Sequence, residues 1–124
     1  MEFIQILNLK NKDFAETCVM ILRELNLSDE NMEVLLNVEK TNNAMNGRYS
    51  FTYPILKEVP MTGSISYEMR LENGNPRYYP KRYFLNGKAY LLCNDWYYPL
   101  PHKKNVKDNR TPFLNWIFQI KAMK

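Results

Sequence analysis

The chain has 124 residues, 45% of them apolar and 24% charged, with a formal net charge of +4. That is material for one domain with a single core, and it excludes the polar, core-poor composition of a disordered chain. No apolar run reaches the roughly 18 residues of a membrane-spanning helix, and the opening MEFIQILNLKNKD turns acidic too early for a secretory signal, so a cytoplasmic protein is expected.

Residues 2–9, EFIQILNL, form an apolar run that reads either as a first strand or as a lead-in to a helix. Asp13-Phe14-Ala15-Glu16 is an acidic helix start. Phe14, Cys18, Ile21, Leu22 and Leu25 follow at helical spacing, which predicts an amphipathic helix over 13–26. Ser28-Asp29-Glu30 starts a second, short helix with Met32, Leu35 and Leu36 on its buried side, and a strand is expected near 34–41. After the turn TNNAMNG the period becomes two. Tyr49, Phe51, Tyr53 and Ile55 alternate with Arg48, Ser50, Thr52 and Pro54, and Ile65, Tyr67, Met69 and Leu71 alternate with Ser66, Glu68, Arg70 and Glu72, predicting two half-buried strands. Two more are expected at about 80–85 and 88–93, joined at Asn86-Gly87. Gly47, Gly74 and Gly87 each follow asparagine, a pairing suited to type I′ turns. Residues 99–110 read as a basic loop, and Thr111-Pro112 opens a last helix with Phe113, Trp116, Ile117 and Ile120 inside. The expected fold class is α+β: an antiparallel β meander or pseudobarrel with two N-terminal helices and one C-terminal helix, all of 1–124 forming one domain.

Catalytic constellations are thin. The one histidine, His102, lies in a proline-flanked basic loop with no nucleophile placed beside it in sequence. The glycines are isolated and suit turns, not a phosphate loop. In the second half only Glu68, Glu72, Asp95 and Asp108 are acidic, and they lack the clustered spacing of a metal-dependent nuclease. Cys18 and Cys93 read as buried small apolar residues, not as a disulfide or metal pair. No cofactor, metal site or catalytic residue is expected, and an enzyme on this chain alone is not the favoured reading.

Binding fits better. Residues 1–60 carry six Lys/Arg against nine Asp/Glu, whereas residues 61–124 carry eleven against four. A basic half on a small domain points to an anionic partner, most often nucleic acid, against the blander alternative of a solvated Lys/Arg surface. Lys81, Lys88, Lys103, Lys104 and Lys107 are candidates for phosphate contacts, and Arg110 belongs to the same basic loop. Arg48, Arg70, Arg77 and Arg82, with Asn75 and Asn94, are candidates for base edges, since Arg and Asn both make bidentate contacts to purines. Turns recruit asparagine for conformational reasons too. Tyr78-Tyr79 and Tyr97-Tyr98 are adjacent pairs, and alternation puts one of each pair outside the core, where a ring beside cations can stack on a base or simply cover a helix.

The segment FLNGKAYLLCNDWYYP with RTPFLNWI after it resembles the N-terminal DNA-binding specificity domains of LlaJI- and McrB-like restriction endonucleases. The residues that carry the likeness are Phe84, Asn86-Gly87-Lys88, Tyr90, Trp96-Tyr97, Arg110, Phe113 and Trp116-Ile117. The resemblance implies a B-three-like pseudobarrel that reads the major groove of double-stranded DNA, with cleavage and nucleotide hydrolysis on other domains or subunits of a restriction complex. The expected function is therefore a non-catalytic DNA-binding domain supplying sequence or modification specificity to a bacterial restriction system. The alternatives are a PUA- or SRA-like binder of a modified base or RNA, with a pocket from Tyr79, Trp96 or Tyr98, and a small phage or accessory protein acting by protein–protein contact.

Overall fold

The opening apolar run is a helix, α1 (Phe3–Leu7), and not a strand. Glu2 and Gln5 cap each other across its first turn, with the Glu2 amide donating to Gln5 Oε1 at 2.8 Å. A computed structural model describes residues 1–69, 74–99 and 107–124. Expectations that fall on Arg70, Leu71, Glu72, Asn73, His102, Lys103 and Lys104 lie outside the described residues.

Helix α2 (Asn11–Leu25) buries Phe14, Ala15, Cys18, Val19 and Leu22 along one stripe. It begins ahead of Asp13, which sits in the first turn and complements the helix dipole there instead of capping it. Asn26 ends it in the left-handed conformation (φ 50°, ψ 68°) that asparagine tolerates. Helix α3 (Asp29–Leu36) has the expected Ser28 cap, whose hydroxyl accepts from the Asn31 amide at 3.2 Å.

The strand expected near 34–41 is instead the end of α3 and a further helix, α4 (Val38–Ala44). Asn37 decides this. It is extended (φ −130°, ψ 120°), ends α3, and accepts from the Lys40 amide at 3.0 Å to start α4. The buried Thr41 hydroxyl donates back to Val34 O and holds the two helices together. Four helices, not two, precede the sheet.

Strands β1 (Leu56–Val59), β2 (Tyr83–Leu85) and β3 (Lys88–Leu92) form an open antiparallel sheet in the order β1-β3-β2. The β2–β3 hairpin turns at Asn86 (φ 51°) and Gly87 (φ 78°), the type I′ geometry expected of Asn-Gly. Central β3 is buried from Ala89 to Leu92, so its apolar run is continuous and not alternating. The fold is α+β, and among the described residues the three-stranded sheet does not close into a barrel.

Among the described residues, neither of the strands predicted over 48–55 and 65–72 forms. Phe51, Tyr53 and Ile55 are buried and alternate with exposed Ser50 and Thr52, yet among the described residues none belongs to a strand, although Ile55 O accepts from the Cys93 amide at 2.9 Å just beyond β3. Phe51 instead exchanges both backbone hydrogen bonds with the Asn42 side chain of α4. Residues 66–69 form a turn, with the Met69 amide donating to Ile65 O at 3.2 Å. The Ser64 hydroxyl hydrogen-bonds the Ser66 hydroxyl at 3.1 Å and accepts from the Ser66 amide at 3.3 Å, an option that competes with a ladder. Tyr67, expected on the inner face, is 87% exposed.

Helix α5 (Arg110–Ala122) closes the chain on α1 and α2. Asp108, not Thr111, caps it: Thr111 donates its amide (2.9 Å) and hydroxyl (2.7 Å) to the Asp108 carboxylate. Trp96 stacks on Phe113 (centroids 5.0 Å apart, planes 21°) and presents edges to Phe14 and Phe51, so the core joins α2, α5 and the 51–55 segment around one indole. Its Nε1 donates to Cys93 O at 2.8 Å. Cys18 and Cys93 are buried free thiols. No helix among the described residues is long and apolar enough to cross a membrane.

Candidate functional site

With Trp96 turned inward, its neighbours Asp95, Tyr97 and Tyr98 are left half-buried at the surface. Asn109 fixes that corner. Fully buried, it donates from Nδ2 to Asp95 O (2.7 Å) and accepts from the Tyr97 amide (2.8 Å), while its own amide donates to Tyr97 O. The 95–98 segment is thereby clamped to the start of α5.

Three stretches of chain meet here, and each gives one residue to an aromatic cluster and its neighbour to a depression. Tyr49 and Tyr97 pack edge to face at 4.7 Å, and the Lys107 ammonium lies 5.0 Å and 5.1 Å from their ring centres. Both contacts are at cation–π distance. The adjoining residues Arg48, Tyr98 and Asp108 line an open depression of about 450 Å³, joined by Asn46 and Asn115.

Gly47, in the wall of the depression, lets its chain approach Pro112 and Asp108 closely. A Cβ there would lie 2.6 Å from Pro112 Cγ and 2.7 Å from Asp108 O. Its φ is not positive, so Asn46-Gly47 is not the type I′ turn the dipeptide suggested; the glycine serves close approach.

Burial raises the pKa of the Tyr49 and Tyr97 phenols, the Asp95 carboxylate raises them further, and the Arg77 charge pulls the other way. Both rings are neutral at physiological pH. The Arg77 guanidinium stands 5.9 Å over the Tyr53 ring, with its buried Nε lacking a partner among the described residues.

The cations and amides singled out from the sequence fare differently. Arg48 is exposed and makes no ion pair or hydrogen bond among the described residues. Lys81 pairs with Glu16 at 2.9 Å, and Lys88 stands 3.8 Å from Glu58 with both side chains more than half exposed, a weak screened pair. Arg82 donates to Pro60 O (2.8 Å) and Gly63 O (2.7 Å), pinning that loop to β2. Asn94 accepts from the Tyr53 hydroxyl at 3.3 Å and donates to Pro76 O at 3.5 Å. Asn75 is exposed in the turn before Arg77.

The Arg110 side chain is turned into the protein. It is 6% exposed, packs 4.6 Å over Phe14, and donates to Leu7 O, Leu9 O and Asn11 Oδ1. A guanidinium supplies a planar fork of donors for several acceptors at once, and α1 ends on unsatisfied carbonyls that need them. Tyr79 points inward near it, and burial pushes its phenol up to about 12.

Asn42, Gly47 and Asn109 were not singled out as site-building residues, and only Gly47 carried a signal, in the Asn-Gly dipeptide. No protein-family model, curated protein or solved structure matches the chain.

Proposed function

We propose that this chain is a non-catalytic DNA-binding domain whose contact face is the surface where residues 46–49, 97–98 and 107–115 converge. The observation that carries the reading is that Arg48, unpartnered among the described residues, lies beside Tyr98 and next to the Tyr49–Tyr97–Lys107 cluster. The Arg48 guanidinium, with the Lys107 ammonium beside the aromatic rings, would supply phosphate contacts, and half-exposed rings would supply stacking surface for sugar or base. Asp95 within the cluster limits the positive charge, so affinity is moderate. Lys103 and Lys104 follow Tyr98 in the chain and extend the basic character in sequence.

Double-stranded DNA as the ligand, and a role in specificity for a restriction system with cleavage on other subunits, rest on the resemblance of the 84–117 segment alone. The B-three-like barrel implied by it gains no support from the three-stranded sheet.

A labelled duplex titrated by fluorescence anisotropy at two salt concentrations tests the reading. Binding should weaken steeply with salt, and Arg48→Gln should lower the slope of log K against log salt by about 1. Absent or salt-independent binding overturns it. Tyr67, 87% exposed, favours a second reading, contact with another protein through the 61–67 loop. Loss of binding to a protein partner on Tyr67→Ser, with no duplex binding in the wild type, would establish that instead.

A further inference from the structure

A second cationic site lies on α2 and β2, in a pocket of about 280 Å³ lined by Glu16, Met20, Arg23, Lys81, Arg82 and Tyr83. None of these residues lines the depression at Arg48. We propose that this pocket binds an oxyanion of the phosphate class, with Arg23 and Arg82 as its donors.

The argument starts from what holds the two arginines. Arg23 Nε donates to Phe84 O at 3.0 Å, and Arg82 Nε and Nη2 donate to Pro60 O and Gly63 O. All three acceptors are neutral backbone carbonyls. They orient the guanidinium groups without cancelling their charge. Among the described residues, both terminal nitrogens of Arg23 and Nη1 of Arg82 have no partner. A planar fork with free N–H groups matches the oxygens of a phosphate.

The charge balance agrees. Three cations face one carboxylate, and Glu16 is already engaged by Lys81 Nζ at 2.9 Å and by the Tyr83 hydroxyl at 2.7 Å. That leaves the pocket an excess of positive charge with its two arginines tied to backbone carbonyls. Preorganised donors lose little side-chain freedom on binding. Lys81, with its ammonium 5.2 Å from the Tyr83 ring centre, closes one side.

The inference is independent of the DNA reading, since inorganic phosphate alone suffices to test it. The probes are sodium phosphate, a short DNA duplex, and sodium chloride matched in ionic strength, added to the whole chain. The readout is the set of Nε–Hε resonances of Arg23 and Arg82 in ¹H–¹⁵N spectra. Saturable shifts with phosphate beyond those with chloride establish the site. Shifts with the duplex as well identify the nucleic-acid backbone as a source, and shifts with phosphate alone identify a free phosphate group.

Variants give the result a sign that misfolding cannot imitate. Arg23→Gln should weaken phosphate binding roughly tenfold, whereas Glu16→Gln, which removes the competing negative charge, should tighten it. Phosphate shifts no larger than chloride shifts, or weaker binding in Glu16→Gln with the fold intact, would overturn the proposal. Failure of duplex binding at Arg48 would leave it standing.

Discussion

The Asn42 side chain pairs with the Phe51 backbone as a neighbouring strand would: Phe51 N donates to Asn42 Oδ1 at 2.8 Å, and Asn42 Nδ2 donates to Phe51 O at 2.9 Å. One primary amide thus satisfies both polar groups of a buried residue that alternation marked as a strand member. Asn42→Ala should cost about 1–3 kcal/mol, because it leaves a donor and an acceptor without partners. Asn42→Asp keeps the acceptor and should fall in between. Urea denaturation of the three proteins measures the order, and equal stability of wild type and the alanine variant would count against it.

Asn109 repeats the device at the candidate site. Asn109→Ala should destabilise by a similar amount, about 1–3 kcal/mol, and should also release Tyr97 from Asn109 Oδ1 and Asp95 from Nδ2. If the 95–98 corner forms the DNA face, duplex affinity drops more in Asn109→Ala than in Asn42→Ala at matched fraction folded. Anisotropy on both variants makes the comparison.

Gly47→Ala adds a Cβ that collides with Pro112 Cγ and Asp108 O. Overpacking of this kind costs about 1–3 kcal/mol. Since the backbone conformation suits any residue, the cost is steric and local. Pro112→Ala in the same chain should recover part of it, and a double-mutant cycle by thermal melts should show non-additivity of about 0.5 kcal/mol or more.

Glu16 sets an acid dependence. Hydrogen bonds from Lys81 and then Tyr83 lower its pKa in the folded protein below the ordinary 4.5. The unfolded state binds the proton more readily, so Glu16 stabilises the fold above pH 4.5, and that contribution disappears as the pH falls through the lower folded value. The stability gap between wild type and Glu16→Gln should be flat above about pH 5.5 and close on acidification. A gap that widens in acid would contradict the assignment.

Arg110→Lys should destabilise by about 2–4 kcal/mol, because an ammonium cannot serve Leu7 O, Leu9 O and Asn11 Oδ1 with one planar fork. Its duplex affinity, measured where the variant stays folded, should match wild type. A large binding loss with unchanged stability would return Arg110 to the interface.

The helices were legible where periodicity and caps agree: the Phe14–Leu22 stripe, the Ser28 cap and the inner face of α5. So was the Asn86-Gly87 hairpin. The alternation at Phe51, Tyr53 and Ile55 reported burial correctly but not pairing, because period two describes which side chains are inside and says nothing of what satisfies the backbone. Asn37 shows the converse: the apolar run VLLNV looked strand-like, and one extended, capping asparagine split it into two helices. At the site, residue type was legible and availability was not. Arg48 and Arg110 look equally basic in sequence, yet Arg110's acceptors are supplied by Leu7, Leu9 and Asn11 at the far end of the chain.

That span has a consequence for how the chain matures. The Leu7 and Leu9 carbonyls wait on a residue 103 and 101 positions later. During synthesis the N-terminal helices emerge long before their last donor, so α1 stays loosely docked until α5 has left the ribosome. Closing so wide a loop belongs to the slow, late end of folding. A nascent chain stalled before residue 110 should be open to proteolysis around residues 7–11, and release of α5 should protect it.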